Sequence, residues 1–552
     1  MFLKKTFQKN KDGSRREYLQ LVESRRINGK PRHVVLLTLG RADSDDVIDK
    51  IDAIIQTLAE SGRRLALLDL DKDLKADWSK PYGLHLIFKR LWEESELSLI
   101  FENELSSVEA QFDVRSAIFN MILNRLCDPC SKRGLLLWQE ETYGVTSFEL
   151  HHYYRAMDYL IEHNDRIEQT VFSRMRDLFC QDVDVVLFDT TSLVYYGEGE
   201  PEPEKHAGKE VQVENQPLLA RGFSKDHRSD LKQIVVGVMM SKDGIPLAHE
   251  VFSGNTNDVS CFSQVIDQLA GKYKIGKVVL VGDRGMISQK NIQYLNDHGY
   301  QYILGYRMRT IPKHDRYNIL AKADLKKIRK DLQWKEVLYN DQRLLVCYNP
   351  ERAKLDAAKR EEILERIQAK IKDGSILSIV DNANYKKFLK IEGKKPKLDP
   401  EQVERDEWYD GVYVLTSNTK LKGQQIIDSY KDLWQVEHAF RALKTELETG
   451  PIYHWKDDRI RAHVMVCFLA LVLRTIFYKK IRAYDKQASY TEVTSDLHAL
   501  HAIGLKVKEK RMILRTEIKP KAMIAFHALK MVAPKRVLFS DNPAKSVVIR
   551  PQ

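Results

Sequence analysis

The sequence predicts an α/β protein, because short apolar runs typical of buried strands alternate with stretches of helical periodicity. The runs VVLFDTT at 185–191 and VVLVGDRG at 278–285 both place an Asp where the apolar residues stop. Between about 423 and 447, apolar residues recur every three and four positions, as they do along one side of a helix. The apolar side of this helix would pack against the sheet that the strands form.

The composition is that of a soluble globular protein. The chain has 552 residues, of which 43% are hydrophobic and 30% charged, and its mean hydropathy is −0.43. At about 150 residues per domain this length suggests three or four domains. Six cysteines are too few for a disulfide framework and favour a reducing compartment. The first residues lack the apolar core of a signal peptide, so we expect a cytoplasmic protein with no membrane partner.

The first half begins with a basic module and continues with helices. Residues 1–45 predict a β-hairpin around the turn Asn28-Gly29, because alternating apolar residues flank an Asn-Gly pair. Residues 46–180 predict a helical region, with apolar residues at helical spacing in DDVIDKIDAIIQTLAES and FDVRSAIFNMILNRL.

The second half returns to strands. Apolar runs predict strands at 183–194, 233–240, 245–252, 277–283, 300–306 and 411–418, with Asp243-Gly244 joining the second and third as a hairpin. The Gly-, Pro- and Glu-rich stretch 197–217 predicts an exposed loop. We therefore divide this half into four regions: 181–309, a β-rich insertion at 310–408, 409–485, and a basic C-terminal region at 486–552.

The apolar run VMVCFLALVL at 464–473 predicts a buried helix. It is ten residues long, well short of the ~20 needed to span a bilayer.

Positive charge is concentrated at the two ends of the chain. The net charge is +11, with +7 in residues 1–40, +9 in residues 501–552 and −5 between them. Basic ends around a mildly acidic centre suggest that the ends bind an anionic polymer such as nucleic acid, since phosphate contacts dominate non-specific binding. Solvated surface lysines would give the same charge distribution.

The two aspartates suggest a metal site. If the strands ending at Asp189 and Asp283 are parallel neighbours, their carboxylates lie side by side. Adjacent carboxylates repel each other unless a cation neutralises them, and hard oxygen donors select Mg²⁺ or Mn²⁺. Either aspartate alone would more often have a structural role, as a helix cap or a turn residue.

A third acid is expected on the helix at 423–447. One face of this helix would carry polar and aromatic residues, and the adjacent face would be apolar. The first set is Tyr430, Trp434, Glu437, Arg441 and Lys444, and the second is Leu433, Val436, Phe440, Leu443 and Leu447. Glu437 would complete a three-carboxylate metal site, and Lys444, two turns on, would contact a phosphate. The alternative is an ordinary amphipathic helix with a surface pair between Glu437 and Arg441.

The chain resembles the DDE-type insertion-sequence transposases in three motifs taken together, which are VVLFDTT, VVLVGDRG and YKDLWQVEHAFRALK. The subgroup resembled has a helix patterned Tyr, two residues, Arg, three residues, Glu, six residues, Lys. Tyr430, Glu437 and Lys444 match this spacing, whereas Leu433 stands in place of the Arg, and Arg441 is a candidate to replace part of its role. The resemblance extends over about 110–480 and includes the hairpin at 222–258.

The resemblance implies a ribonuclease H-like catalytic domain with a β-rich insertion before the Glu. It implies cleavage and strand transfer at the terminal inverted repeats of an insertion sequence and insertion into target DNA. Two Mg²⁺ (or Mn²⁺) ions would be bound, with Asp189 bridging both and Asp283 and Glu437 each completing one coordination sphere. The N-terminal regions would bind the DNA ends, and a homodimer would hold two ends in the synaptic complex.

Tyr430 and Arg441 are candidates for DNA contact alongside Lys444. Further candidates are His227, a polar turn residue in the alternative, and Trp434 and Trp455, for which packing within the protein is the favoured alternative. The lone Cys127-x-x-Cys130 pair lacks the second pair of a zinc site. Two other functions compete: a transposase-derived DNA-binding protein without activity, and a phosphatase with an aspartyl nucleophile. The intact trio of acids argues against the first. Thr191, in place of a second Asp, argues against the second.

Overall fold

A computed structural model of the protein describes residues 2–9, 15–27, 30–41, 74–179, 185–197, 217–226, 228–272, 279–308, 311–373, 383–392, 395–507 and 510–540. The chain forms two compact units. Unit 1 comprises 1–167, 443–449 and 461–552, and unit 2 comprises 168–442 and 450–460.

Unit 1 begins with a three-stranded antiparallel sheet. Its strands are β1 (Phe2–Lys9), β2 (Arg15–Ile27) and β3 (Lys30–Arg41), in the order β1-β2-β3. Ile27 and Lys30, the residues that flank Asn28-Gly29, pair in the antiparallel register of β2 and β3. The predicted hairpin is therefore confirmed, and β1 adds a third strand that the sequence analysis did not predict.

A strand and six helices follow. They are β4 (Leu74–Pro81), α1 (Gly83–Glu94), α2 (Leu97–Glu104), α3 (Val114–Cys127), α4 (Leu135–Glu141), α5 (Leu150–Glu162) and α6 (Asn164–Phe179). Asp113 caps α3 by accepting the backbone N–H of Ser116. This helix confirms the helical prediction for 112–126, whereas the predicted helix at 45–61 lies outside the described residues.

Unit 2 is built on a mixed nine-stranded sheet. Its strands are β5 (Val185–Val194), β6 (Gln233–Ser241), β7 (Pro246–Ser253), β8 (Val279–Gly282), β9 (Gln301–Gly305), β10 (Lys326–Arg329), β11 (Leu332–Tyr339), β12 (Gln342–Tyr348) and β15 (Val412–Ser417). The separate pair β13 (Leu389–Glu392) and β14 (Lys395–Leu398) forms a two-stranded sheet.

The strand order in the large sheet is β10-β11-β12-β15-β9-β8-β5-β6-β7. The strand β5 pairs parallel with β8, and β8 parallel with β9, whereas β5-β6 and β6-β7 are antiparallel. The strands predicted from apolar runs all exist. The strands β10, β11 and β12, within the predicted insertion, extend the same sheet through β15.

The helices of unit 2 begin with α7 (Asp258–Gly271), a 3₁₀ turn (Arg284–Met286) and α8 (Gln289–Asp297). The next three are α9 (Lys313–Leu320), α10 (Pro350–Lys372) and α11 (Ala383–Lys386), and α12 (Pro400–Glu407) follows. One core cluster joins Ile319 of α9 to Leu344 and Val346 of β12 and Val414 of β15.

The helix predicted over 423–447 is interrupted, so the prediction of one continuous helix was wrong. It consists of α13 (Gly423–Lys431), α14 (Trp434–Arg441) and a π-helical segment (Ala442–Glu446). The interruption lets α13 pack against β8 and β9 while α14 packs against β5 and β6. Leu433, Val436 and Phe440 are buried, as the apolar stripe predicts.

The rest of the chain contains α15 (Asp457–Tyr484), α16 (Tyr490–His498), β16 (His501–Val507), β17 (Lys510–Arg515), α17 (Pro520–Ala528) and β18 (Val537–Ser540). In unit 1 the order β18-β17-β16-β4 joins the end of the chain to β4 in one sheet. Among the described residues, α15 alone is long and apolar enough to cross a membrane, and 89% of its most apolar stretch is buried inside the protein. The predicted buried helix at 464–473 is thus confirmed.

Candidate active site

Asp189 and Asp283 lie side by side on neighbouring parallel strands. The last register pair between β5 and β8 joins Phe188 to Gly282, and each aspartate is the next residue on its strand. The parallel pairing predicted from the sequence is confirmed. Asp283 directly follows the end of β8, but Asp189 does not end its strand, because β5 continues to Val194. The expectation that both strands stop at an acid was therefore wrong for the first.

Burial controls the ionisation of Asp189, whose side chain is 20% exposed. Its pKa is raised to about 6, chiefly because burial disfavours the charged form. The nearby charges of Asp283 and Asp258 raise the pKa further. Lys225 and the backbone N–H of Thr190, which donates to Asp189 Oδ1 at 2.7 Å, oppose this rise. Asp189 is therefore an acid whose ionised form needs nearby positive charge.

Two further charged residues, which the sequence analysis did not single out, lie beside Asp189. The Nζ of Lys225 is 3.7 Å from Asp189 Oδ1 and 3.5 Å from Asp258 Oδ1. Asp258 begins α7, and its Oδ1 accepts the hydroxyl of Thr190 at 2.6 Å. Both residues fall in the stretch 222–258 that carries part of the family resemblance, but only the fold brings them to β5.

One hydrogen bond holds the side chain of Asp283, and two others hold the loop that follows it. The hydroxyl of Tyr430, on α13, donates to Asp283 Oδ1 at 3.2 Å. Burial and this carboxylate raise the pKa of Tyr430, so its hydroxyl remains a donor. Arg307 donates to the carbonyls of Arg284 and Gly285 at 2.8 and 2.9 Å, which holds the loop after β8.

Gly305 makes room for the tyrosine. A Cβ at this position would lie 2.7 Å from the Tyr430 hydroxyl and 2.9 Å from the backbone nitrogen of Arg284. Only glycine therefore allows β9, α13 and the loop after β8 to approach this closely. The run YQYILGY predicted the strand but not this role of its glycine.

Glu437 is an exposed residue of α14. This helix packs against β6 and against β5, the strand that carries Asp189. Among the residues that the structure describes, no three His, Cys, Asp or Glu side chains converge closely enough to hold a metal ion. The structure thus brings Asp189 and Asp283 together without assembling the predicted group of three carboxylates.

The carboxylate oxygens of Asp189 and Asp283 are suitable ligands for a hard divalent cation. Two carboxylates meet at adjacent positions, and the burial of Asp189 leaves its charge in need of compensation. Mg²⁺ is commonly held by one or two carboxylates and keeps several waters, so a pair is sufficient to begin a site. The chemistry of these oxygen donors also suits Mn²⁺.

The residues predicted to contact DNA have different environments. Trp434 is 59% exposed and Trp455 is 45% exposed, so the preference for packing inside the protein was wrong for both. Arg441 is exposed and Lys444 is partly buried in the π-helical segment. Tyr430 is engaged with Asp283, and His227 lies outside the described residues.

Comparison with known proteins identifies the family. The family model described as "Transposase DDE domain" matches residues 184–473, more than half of the chain. The model "IS1634 family transposase, N-terminal domain" matches residues 3–69. No curated protein sequence matches this chain.

A solved structure of piggyBac transposase, in a synaptic complex with hairpin DNA, is similar at a TM-score of 0.36 and 12% identity. The similarity covers 76% of this chain and 80% of that one. On the two family matches, this chain belongs to the DDE transposases of insertion sequences, enzymes that bind DNA, use divalent metal ions, and cut and transfer DNA strands.

Proposed function

We propose that Asp189, Asp283 and Glu437 are the catalytic acids of this transposase. The observation that carries the proposal is the adjacency of Asp189 and Asp283 on parallel strands. Glu437 is the third acid because it follows Tyr430 at the family spacing, on a helix packed against β5 and β6. Since the three acids do not form a metal-binding group here, we propose that Glu437 joins the pair when DNA is bound.

The proposed fold of the catalytic part is ribonuclease H-like. The order β7-β6-β5-β8-β9, antiparallel on one side of β5 and parallel on the other, supports this assignment. The strands β10, β11, β12 and β15 extend this five-stranded arrangement at the β9 edge. In such a fold the first two acids belong to the two central parallel strands, which is where Asp189 and Asp283 lie.

The proposed cofactor is a pair of Mg²⁺ or Mn²⁺ ions held by Asp189, Asp283 and Glu437. When bound, two such ions activate the attacking oxygen and stabilise the departing one in an in-line phosphoryl displacement. The protein's own contribution is positional. Tyr430 holds the carboxylate of Asp283, and Arg307 holds the loop that follows it. The backbone N–H of Thr190 orients Asp189. No covalent bond between protein and DNA is needed.

The proposed DNA partners are the terminal inverted repeats of the element and a target DNA. The basic N-terminal region, which matches the IS1634 N-terminal domain, is the candidate reader of the DNA ends. Arg441 and Lys444 are candidates for phosphate contacts, and the exposed ring of Trp434 for stacking on a base. His227 remains a candidate on sequence grounds. Two DNA ends held together would require a homodimer.

The experiment compares wild type with Asp189→Asn, Asp283→Asn and Glu437→Gln. Each protein is incubated with duplex DNA carrying the element's end and Mg²⁺, and strand cleavage is measured beside DNA binding. We expect cleavage to be lost in all three variants while binding stays within a few-fold. Retained cleavage in any variant removes that residue from the catalytic set. A wild-type protein that binds the ends but never cuts them would instead be a DNA-binding protein without activity.

A further inference from the structure

The ammonium group of Lys225 is surrounded by oxygen atoms next to Asp189. It donates to the carbonyl oxygen of Thr190 at 2.6 Å and to its hydroxyl at 2.8 Å. It also lies 3.7 Å from Asp189 Oδ1 and 3.5 Å from Asp258 Oδ1. The side chain of Lys225 is 33% exposed, so it is fixed at the rim of the site without being cut off from solvent.

The backbone of Lys225 is fixed as well. Its N–H donates to the hydroxyl of Ser192 at 2.9 Å, two residues beyond Thr190 on β5. The lysine is therefore held to β5 at both the main chain and the end of the side chain. A lysine ordinarily loses much rotamer freedom when it is fixed in this way, so the contacts that fix it must compensate for that loss.

The distances around the ammonium are unequal. The two contacts to Thr190 are short hydrogen bonds, whereas the two to carboxylates are longer and mainly electrostatic. An ammonium has three protons, so with two given to Thr190 one remains to be shared between Asp189 and Asp258. Asp258 therefore draws away part of the positive charge that would otherwise face Asp189.

A cation at this position opposes the entry of another cation. Unit charges about 4 Å apart interact by about 1 kcal/mol even in water, which is on the order of fivefold in an equilibrium constant. The hydrogen bonds to Thr190 do not depend on Asp189, so the ammonium stays in place when Asp189 acquires a new partner. Lys225 would then repel any divalent ion bound to Asp189.

We infer that Lys225 is a built-in competitor that weakens divalent-cation binding at Asp189, and that Asp258 limits this competition by sharing the ammonium. This inference rests on the proposed role of Asp189 as a metal ligand. It gives Lys225 and Asp258 a role in setting the metal concentration at which the site fills. They are positioning residues and need not contact the DNA.

The test measures Mn²⁺ binding to the DNA-free full-length protein by the electron paramagnetic resonance signal of free Mn²⁺. The proteins are wild type, Asp189→Asn, Lys225→Met and Asp258→Asn, with Lys242→Met as a control. Lys242 is an exposed lysine of the same unit, four residues beyond Val238, the register partner of Asp189, so its removal changes the net charge equally but at a distance from Asp189. Asn at 258 keeps the oxygen that accepts the Thr190 hydroxyl and removes only the charge.

We expect Lys225→Met to bind Mn²⁺ more tightly, on the order of fivefold, and Asp258→Asn to bind it more weakly by a similar factor. Lys242→Met should match wild type. A purely structural role for Lys225 predicts the opposite sign, since disorder at the site weakens binding. Unchanged or weaker binding in Lys225→Met therefore overturns the inference. Unchanged or tighter Mn²⁺ binding by Asp258→Asn also overturns the inference. This second variant keeps the test decisive if Lys225→Met fails to fold.

The Asp189→Asn protein separates this inference from the proposed function. If Asp189→Asn loses Mn²⁺ binding but Lys225→Met does not tighten it, only the role of Lys225 is wrong. If Asp189→Asn binds Mn²⁺ like wild type, Asp189 is not a ligand in the free protein and the inference fails. The metal assignment in the DNA complex is then decided separately, by the cleavage assay of Asp189→Asn.

Discussion

The hydroxyl of Tyr430 lies 3.2 Å from Oδ1 of Asp283 and donates a hydrogen bond to it. This contact joins α13 to the end of β8, and so connects the first residue of the Tyr-Glu-Lys pattern to the second acid. The tyrosine of that pattern, which the sequence suggested as a DNA contact, therefore has a structural role at the acidic pair. Its ring is also stacked at 6.3 Å on that of Tyr413.

We predict that Tyr430→Phe lowers the rate of strand cleavage about tenfold while leaving DNA affinity unchanged. A hydrogen bond to a charged group contributes about 1.5–3 kcal/mol, and a change of about 1.4 kcal/mol in the barrier is tenfold in rate. The measurement is single-turnover cleavage at saturating Mg²⁺. Tyr317→Phe, at an exposed tyrosine of the same unit, is the matched control. Equal rates for Tyr430→Phe and wild type would show that this hydrogen bond does not matter for catalysis.

We predict that Gly305→Ala lowers the rate of strand cleavage by a factor similar to or larger than that for Tyr430→Phe. The added methyl group would lie 2.7 Å from the Tyr430 hydroxyl and 2.9 Å from the Arg284 nitrogen, so one of them must move. The defect should be smaller in a Tyr430→Phe background, because one of the two collisions is then absent. Single-turnover rates of the two single variants and the double variant test this coupling. Strict additivity would mean that Gly305 acts independently of Tyr430.

The sequence predicted the parts of the site that depend on local pattern. Apolar runs located β5 and β8, and their common form predicted that Asp189 and Asp283 would be neighbours. Lys225 and Asp258 could not be found in this way, because they reach Asp189 only after the hairpin and α7 fold back onto β5. Their stretch matched the family, but nothing in its residue spacing indicated which side chains face the acid.

The helix at 423–447 shows a second limit of sequence analysis. Apolar residues recur at helical spacing on both sides of Asp432 and Leu433, although the structure has a turn at these two residues. The periodicity persists because α13 and α14 both pack on the same sheet, but on different strands. Trp434 lies on the face that the sequence predicted to be polar, and its exposure could not be read from the residue type, since tryptophan is more often buried.

We predict that Asp189→Asn stabilises the metal-free protein at pH 7.5. The pKa of Asp189 in the folded protein is about 6, above its ordinary 3.8, so its contribution to stability is present at low pH and lost as the pH rises through about 6. The neutral variant avoids that loss, worth about 1–3 kcal/mol. Its apparent unfolding midpoint should exceed that of wild type by a few degrees at pH 7.5.

The same difference should shrink as the pH is lowered from 6 to about 4, because Asp189 in wild type then becomes protonated. Thermal unfolding in the presence of a chelator, at pH 4.5, 6 and 7.5, measures this trend. A difference in midpoint that does not change with pH would show that Asp189 titrates normally in the folded protein.

We predict that Trp434→Ala leaves the unfolding midpoint within about 1 °C of wild type, because a ring that is 59% exposed contributes little burial. Loss of stacking on a base costs about 1–3 kcal/mol, so processing of the DNA end should fall about tenfold or more. Trp138→Ala, at a buried tryptophan, should show a large loss of stability instead. Normal end processing by Trp434→Ala would remove this residue from the DNA interface.

The most direct test of the central claim is a crystal structure of the protein bound to its DNA end with Mn²⁺, in which anomalous scattering locates the ions. We predict ions within about 2 Å of carboxylate oxygens from Asp189, Asp283 and Glu437. Ions that contact the two aspartates while Glu437 remains remote would contradict the assignment of the third acid. Ions bound away from all three residues would contradict the account of the active site.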